Sequence, residues 1–359
     1  MIDISPQELL DLRLQNQRIS QSYFRAAGDV ISWLGAAQAQ DFLGAKWSLG
    51  LRIPGAKDAD IEAAIADRSI VRTTLQRGTL HFTAACDVRW MLKLAAPRVL
   101  AKLAGSGRSL GLDAAVLARS RDILLRELTG GRSLTRKEVQ SAWESNGIEA
   151  SGQRGSHLFY HAALDGLICH GCRRGNEFCF VLLDEWVTRH RSLEGDEAVA
   201  ELAKRYFASH GPATVQDFAW WSGQTLSAAR GGLEAVKDNL SAVKLNNETY
   251  WIPQPQPNSS GERARAYLLP GFDEYMLGYM DRTAAIPAEQ IKALTPENGV
   301  FAALVVVDGH VAGTWKRAFG KNSVAVSISS FRSLTSDQHD AVMAAVARYG
   351  SFLDVPITY

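Results

Sequence analysis

SLTRKEVQSAWESNGIEASGQRGSHLFYHAALDGLICHGCRRGNEFCFVLL, residues 133–183, is the stretch that indicates the fold most directly. A helix is predicted to begin after Thr135, because the threonine hydroxyl can accept the backbone N–H of Glu138 while the Glu138 side chain reaches back to the Thr135 backbone. This capping box satisfies N–H groups that the start of a helix leaves without partners. The helix is expected to run to Glu144 and to end at the turn Asn146-Gly147.

Further elements flank this capped helix. One helix is predicted before it, from Ala115 to Leu128, and another after it, from about Ser156 to Leu164. Two apolar strands follow at 166–171 and 177–183, with Arg173-Arg174 at the tip between them. Three helices and a two-stranded hairpin are the elements of a winged helix-turn-helix module, in the order that such a module has.

A similar order of elements occurs at the start of the chain. A helix opened by Ser5-Pro6 precedes helical patterns over Val30 to Phe42 and over Ile61 to Asp67. Strand character then appears at 69–74 and at 80–83. The first part of the chain is therefore predicted to hold another module of the same kind.

A third copy follows residue 192. Helices are predicted from Ala198 to Ser209, around Trp220-Trp221 and from Thr225 to Val236. A hairpin is predicted at 244–252, with Asn246-Asn247 near its turn. Repetition of one unit along the chain is the strongest sequence evidence for the fold.

A mixed α/β region ends the chain. Strands are predicted at Ala302 to Val307 and Ser323 to Ile328, joined through Asp308-Gly309-His310, and a helix at Ser336 to Tyr349. A loop rich in Pro, Gln, Ser and Gly is predicted from Pro253 to Arg265.

The predicted fold class is α+β, with three tandem winged helix-turn-helix modules and a mixed α/β C-terminal part. Residues 1–114 are predicted to form the first module, residues 115–192 the second, and residues 193–359 the third together with the C-terminal part. A chain of 359 residues has room for two to three domains of ordinary size.

Charge is distributed unevenly along the chain. The net charge is only +1, but residues 1–192 carry 25 Lys and Arg against 20 Asp and Glu, whereas residues 193–359 carry 14 against 18. This asymmetry allows a basic face on a nearly neutral protein, although a mixed solvated surface would give the same counts. The start MIDISPQELLDL lacks the layout of a signal peptide, and no apolar run is long enough to span a bilayer. We expect a cytoplasmic, nucleoid-associated protein without membrane contact.

Four cysteines raise the question of a metal site. Cys169, Cys172 and Cys179 could bind zinc with His161 or His170. The chain has a single CxxC pair, however, and Cys179 falls within an apolar strand pattern, where a free thiol behaves as a small hydrophobe. We therefore predict no metal and no cofactor, and the absence of a P-loop, an HExxH motif and a dinucleotide-binding fingerprint agrees with this.

Three segments together carry a resemblance to a known family. They are Gln38-Ala39-Gln40, Arg77-Gly78-Thr79-Leu80-His81 and the stretch from Leu268 to Arg282, LLPGFDEYMLGYMDR. With these segments in this order, nearly the whole chain resembles the winged-helix DNA glycosylase family, and within it the AlkZ-like group, which excises alkylated bases and can unhook interstrand crosslinks. The resemblance implies a monofunctional glycosylase whose catalytic residues Gln38 and Gln40 hold the hydrolytic water. It gives no catalytic role to the third segment, which can serve to hold the C-terminal part against the modules.

The chemistry of glutamine fits this implied activity. A purine alkylated at N7 or N3 is already cationic and leaves without a strong acid, so the enzyme has to orient water and tolerate a cationic sugar. A glutamine carbonyl can accept a hydrogen bond from that water, whereas glutamine cannot deprotonate it. Side chains two residues apart share a face only in an extended segment. Gln38 and Gln40 are therefore expected in an extended segment or at a helix end.

Basic side chains near the predicted modules are candidate DNA contacts. Phosphate contacts of this kind would make binding strongly dependent on salt. Each of these residues can equally be a solvated surface cation, and the lone histidine can be a structural one. The candidates are Arg77, His81, Arg132, Arg136, Lys137, Arg154, Arg173, Arg174, Lys316 and Arg317.

The predicted partner is double-stranded DNA that carries alkylated or crosslinked purines, bound by a monomer. The main alternative is a winged-helix transcription regulator without catalysis. Such a regulator would need a base-reading helix rich in Arg, Asn or Gln, and the segment Thr225 to Leu233 holds a single cation. A second alternative is a protein that has lost catalysis and only sequesters lesions.

Overall fold

The computed structural model describes residues 2–254, 265–294 and 301–359, and these form a mixed α and β structure. The helices are α1 (Pro6–Asn16), α2 (Ala27–Leu34), α3 (Phe42–Leu51), α4 (Asp58–Ala66), α5 (Val88–Ser109), α6 (Ala114–Leu128), α7 (Arg136–Ser145), α8 (Gly152–Leu164), α9 (Leu183–Trp186), α10 (Gly195–His210), α11 (Val215–Ser222), α12 (Leu226–Val236), α13 (Glu274–Leu277), α14 (Ala288–Leu294) and α15 (Ser336–Leu353). The strands are β1 (Ile2–Asp3), β2 (Ala36–Gln38), β3 (Ile70–Thr74), β4 (Leu80–Ala84), β5 (Leu134–Thr135), β6 (Ile168–His170), β7 (Cys179–Leu182), β8 (Leu240–Leu245), β9 (Glu248–Pro253), β10 (Ala266–Leu269), β11 (Leu304–Val307), β12 (His310–Phe319), β13 (Val324–Ser330) and β14 (Ile357–Thr358).

Local signals in the second predicted module gave its elements correctly. The Thr135 hydroxyl accepts the N–H of Glu138 at 3.3 Å, and the Thr135 N–H donates to the Glu138 carboxylate at 2.7 Å. The helices α6, α7 and α8 and the strands β6 and β7 follow in the predicted order. The predicted turn at Asn246-Asn247 is confirmed as well, because both residues have positive φ angles, 50° and 65°, between β8 and β9.

The predicted helix over Val30 to Phe42 is wrong. Helix α2 ends at Leu34, and the chain turns at Gly35, whose φ of +84° suits a residue without a Cβ atom. Residues 36–38 then form strand β2, and α3 begins only at Phe42. The strand exists because it pairs antiparallel with β4, a partner more than forty residues later in the sequence.

Several further elements lay outside the sequence predictions, and two of them change the connections between predicted parts. Helix α5, of 22 residues, connects the first predicted module to the second. Strand β12 lies between β11 and β13, so the strands predicted around Ala302–Val307 and Ser323–Ile328 are not directly joined. Most of the loop predicted from Pro253 to Arg265 lies outside the described residues.

The first two predicted modules share one sheet. Its strand order is β2-β4-β3-β6-β7-β5, so three strands of the first part lie beside three strands of the second. The two halves are joined where β3 meets β6, through the pair Arg72 and His170. The hairpin β8–β9 instead pairs with the short strand β1, in a separate three-stranded sheet.

The C-terminal part packs against the first part of the chain. Its five strands have the order β10-β11-β12-β13-β14. Trp47 of α3 donates its indole N–H to the Leu268 carbonyl at 2.7 Å, and its ring lies 5.1 Å from that of Tyr349 in α15. These residues belong to one buried apolar cluster with members from both ends of the chain. The domain boundaries at 114/115 and 192/193 stay predictions. Where the structure describes the chain, no helix is both long and apolar enough to cross a membrane.

A buried ion pair connects the same two parts. Arg52, at the end of α3, donates from Nη1 and Nη2 to the two carboxylate oxygens of Asp273, both at 2.9 Å. The Ser48 hydroxyl donates to the same carboxylate at 2.6 Å. Burial alone would raise the pKa of Asp273, but the charge and hydrogen bonds of Arg52 outweigh it and hold that pKa below its usual value.

Replacement of Arg52 tests how strongly this pair holds the fold together. We expect Arg52→Leu to lower the free energy of unfolding by about 3–5 kcal/mol, because it leaves the Asp273 carboxylate buried without its cation. Urea unfolding of the variant and the wild type measures the difference. Lys57→Ala, which breaks the exposed pair with Asp354, is the control and should change stability little. Equal stability of Arg52→Leu and wild type would contradict the assignment.

Candidate active site

Gln38 and Gln40 lie where β2 ends, in an extended segment. The ladder continues through Ala39, whose N–H donates to the Leu80 carbonyl of β4 at 2.7 Å. Gln38 is half-buried and Gln40 is exposed. In an extended segment the side chains of residues i and i+2 point to the same face, so Gln38 and Gln40 can both reach one water molecule.

Arg77 and Glu274 both contact Gln38. Arg77 donates from Nη2 to the Gln38 side-chain oxygen at 3.2 Å, and its Nη1 donates to the carbonyl of Trp221. The backbone N–H of Gln38 donates to the Glu274 carboxylate at 3.1 Å. The side-chain nitrogen of Gln38 makes no hydrogen bond within the described ranges, which leaves a donor for a ligand.

Glu274 is a fully buried carboxylate that the sequence reasoning did not single out. One of its oxygens accepts the Gln38 N–H, and the other accepts the Trp221 indole N–H at 2.7 Å and lies 3.4 Å from His210 Nε2. Burial would raise its pKa, but the hydrogen bond and charge of His210, together with Arg77 and Trp221, bring that pKa below its ordinary value. Glu274 is therefore ionised. Because its oxygens are already hydrogen-bonded within the protein, it can position Gln38 and supply negative charge.

The three segments that carried the family resemblance meet at Gln38. The first contains Gln38 itself, the second supplies Arg77, and the third supplies Glu274. Asp273, the neighbour of Glu274, caps α13 and forms the ion pair with Arg52. The third segment therefore both anchors the C-terminal part and supports the glutamine strand. Its buried acidic pair, within an apolar run, was the signal that could have revealed Glu274.

Arg72 holds the residue between the two glutamines. Its Nε and Nη2 donate to the Ala39 carbonyl at 3.1 and 3.0 Å, and its Nη1 donates to His170 Nδ1 at 2.6 Å. Its guanidinium carbon lies 4.2 Å from the ring centroid of Phe178. Burial lowers the pKa of Arg72 to about 10, so the group remains charged near neutral pH. Sequence reasoning missed Arg72, because nothing local distinguishes it from other strand residues.

His81 is buried beside the glutamine strand. It lies opposite Gln38 in β2 and opposite Thr73 in β3, so the three side chains share one face of the sheet. Its Nδ1 lies 2.9 Å from the Thr79 carbonyl, which places the proton on Nδ1 and leaves Nε2 as an acceptor. Burial, and next the charge of Arg77, lower the pKa of His81 to about 4. The imidazole is therefore neutral near pH 7.

The other candidate DNA contacts differ in exposure. Arg77 is half-buried and points at Gln38 and Trp221, so it lies inside the site. Three more are half-buried and bound within the protein: Arg154 to carbonyls, Arg173 to Glu62 and Arg317 to Asp41. The exposed ones are Arg132, Arg136, Lys137, Arg174 and Lys316. Arg174 pairs with Glu138, and Arg132 donates to backbone carbonyls.

Cysteine placement bears on the zinc alternative. Cys169 and Cys179 are buried free thiols, whereas Cys86 and Cys172 are exposed. Within the described residues, no three His, Cys, Asp or Glu side chains are grouped so that they could hold a metal ion.

Comparisons with known proteins give a consistent picture. The family model described as "DNA glycosylase AlkZ-like" matches residues 31–352. A Streptomyces sahachiroi protein named "Interstrand DNA cross-link repair glycosylase" is 26% identical over 334 residues, which cover 85% of each chain. The solved structure of the Streptomyces sahachiroi DNA glycosylase AlkZ has the same fold, with a TM-score of 0.81, 23% sequence identity and coverage of 99% of this chain and 100% of that one.

The neutral state of His81 predicts a pH effect on stability. An unfolded histidine binds its proton near pH 6.5, whereas folded His81 does so only at about pH 4. The wild type should therefore lose up to ~3 kcal/mol of stability as the pH falls through this window, because only the unfolded state is protonated there. His81→Gln should lack this loss.

Urea unfolding of both proteins at several pH values measures the effect, and the other histidines cancel in the difference. Parallel stability curves for the wild type and His81→Gln would contradict the assigned pKa.

Proposed function

This chain belongs to the DNA glycosylase AlkZ-like family, and from that premise we propose that it excises purines alkylated at N7 or N3, with the attacking water held by Gln38 and Gln40. Crosslinked purines are part of the proposal, and the name of the Streptomyces sahachiroi relative, a cross-link repair glycosylase, supports it. The observation that carries the proposal is the meeting of three distant segments at Gln38. A transcription regulator without catalysis does not fit membership of a glycosylase family.

The proposed chemistry assigns distinct parts to the site residues. The glutamine side chains accept from and donate to the water, which attacks the anomeric carbon of a cationic nucleotide. Arg77 fixes the orientation of the Gln38 amide, since its guanidinium donates to the amide oxygen. The Glu274 carboxylate holds the Gln38 backbone and supplies a fixed negative charge that complements a cationic sugar. Because each Glu274 oxygen already has a protein partner, we do not assign proton abstraction to it.

We also propose how DNA is held. The helices and hairpins of the three parts act as winged-helix modules, and the exposed cations Arg132, Arg136, Lys137, Arg174 and Lys316 contact phosphates. The half-buried cations Arg154, Arg173 and Arg317 bind groups of the protein itself and thereby stabilise the loops and strands next to the proposed DNA-binding surface. Action as a monomer, without a cofactor and at the nucleoid, remains part of the prediction.

Loss of the glutamine pair tests the proposed function. We expect the wild type to release N7-methylguanine from duplex DNA in EDTA, and Gln38→Ala/Gln40→Ala to do so at least about 100-fold more slowly, because the water loses its hydrogen-bond partners. DNA affinity, measured by fluorescence anisotropy, should persist in the double variant. Gln7→Ala, at an exposed glutamine of α1, is the matched control. Unchanged release by the double variant would show that the pair does not act on the water.

Arg72 provides a separate test of the glutamine geometry. Arg72→Met keeps the length and apolar packing of the side chain but removes both hydrogen bonds to the Ala39 carbonyl. We expect kcat to fall about 10- to 100-fold with DNA affinity unchanged, because small displacements of positioning groups are costly. Single-turnover base release and anisotropy measure the two quantities. Equal loss of affinity and rate would show a general structural defect instead.

A further inference from the structure

A cavity of about 300 Å³ opens beside Gln40, at the place where the two halves of the six-stranded sheet meet. Strands β3 and β6 and helix α8 contribute to its lining, and Gln40 lies on it while Gln38 does not. A larger cavity of about 420 Å³, lined in part by Lys93, Pro97 and Asp165, includes neither glutamine. Of these two cavities, the smaller one is placed to take part in the reaction.

The lining of this cavity suits a planar heterocycle. Phe159, Tyr160, Phe178 and Phe180 supply aromatic surface, which is a common platform for nucleobases. The Arg136 guanidinium lies over the Phe159 ring at 4.4 Å from its centroid. The lining combines these aromatic rings with polar and charged side chains, and its volume lies near the lower end of the range of about 300–1,000 Å³ that is typical of small-molecule sites.

One buried polar group of the lining has no hydrogen-bond partner among the described residues. The hydroxyl oxygen of Thr73 is buried and makes no hydrogen bond to any described residue, and Thr73 as a whole is 1% exposed. A buried hydroxyl without a partner costs free energy, so it is usually paired with water or with a ligand. Gln40 adds an amide at the edge of the cavity. Both groups can satisfy the polar edge of a base.

The charge of the lining decides which form of a base it accepts. Arg72 and Arg136 line the cavity, and its described lining contains neither Asp nor Glu. Two cations without a facing carboxylate disfavour a cationic ring relative to a neutral one of the same shape. An alkylated purine changes between these forms during the reaction, because it is cationic in the nucleotide and neutral after release.

We propose that this cavity receives the excised base as a neutral leaving group. The inference rests on the proposed function. The water oxygen bonds to the anomeric carbon and gives its proton to solvent. The bond from that carbon to the base nitrogen breaks, and its electron pair passes to the base and cancels the positive charge. Gln40, which lies on both the water site and the cavity, places the base beside the broken bond. The cations then favour the product over the charged nucleotide.

Binding of free bases tests this assignment without requiring catalysis. The probes are 7-methylguanine, which is neutral, and 7,9-dimethylguanine at mildly acidic pH, where it is a cation of nearly the same shape. Binding is measured by titration with ligand-observed NMR. The wild type and Gln38→Ala should bind 7-methylguanine with equal affinity, because Gln38 does not line the cavity. Both proteins should bind the cationic probe at least about tenfold more weakly than they bind 7-methylguanine. In excision assays, 7-methylguanine should inhibit the wild type.

Two variants locate the bound base. Ala163→Phe places a ring in the cavity from α8 and should weaken binding of 7-methylguanine about tenfold or more, whereas Thr73→Val keeps the shape, removes the hydroxyl and should weaken it about two- to tenfold. If Ala163→Phe does not fold, the affinity of Thr73→Val for 7-methylguanine tests the location of the bound base by itself.

Three results would overturn the assignment: no binding of 7-methylguanine by the wild type, equal binding of the neutral and cationic probes, or binding that remains unchanged in folded Ala163→Phe or in Thr73→Val. The proposed function fails separately, if the wild type binds the free base in the expected pattern but releases none from methylated DNA.

Discussion

The hydrogen bond from the Gln38 N–H to the Glu274 carboxylate is the contact on which the site depends. A carboxylate buried to this extent persists only when donors surround it, and Trp221 supplies a second one from α11. Glu274 in turn stands beside Asp273, which the Arg52 ion pair holds in place. The chain therefore brings its start, its middle and its C-terminal part to a single acidic residue, which holds the glutamine strand together with the pairing of that strand to β4.

Local signals in the sequence predicted the elements that local hydrogen bonds form. The capping box of Thr135 and the turn at Asn246-Asn247 need no distant partner, and both were found where they were expected. Strand β2 was missed, because its only reason to be a strand is a neighbour far along the chain. Arg72 and Glu274 escaped notice for the same reason, since their partners come from other elements. The glutamines themselves were reached through a family resemblance, as a Gln-x-Gln sequence alone distinguishes nothing.

The arrangement of charge around the glutamines follows one pattern. Glu274 places a negative charge at the backbone N–H of Gln38. Arg77 places a positive charge at the side-chain oxygen of Gln38, and Arg72 places one at the carbonyl oxygen of Ala39. His81 adds no charge near neutral pH, since its pKa is about 4. Groups held in this way need not reorganise when charge moves in a reaction, which is the main source of electrostatic catalysis.

In the six-stranded sheet, the pairing that joins the two halves is shorter than the pairings within each half. Within each half the strands share several residue pairs, but β3 and β6 meet at Arg72 and His170. The sheet therefore passes from one half to the other through a single ladder pair, and Arg72 supplies one side of it. The same Arg72 donates to the Ala39 carbonyl, so one side chain both joins the two halves of the sheet and holds the backbone between the two glutamines. The position of the glutamine strand is thereby tied to that of His170, the residue of the second half that Arg72 contacts.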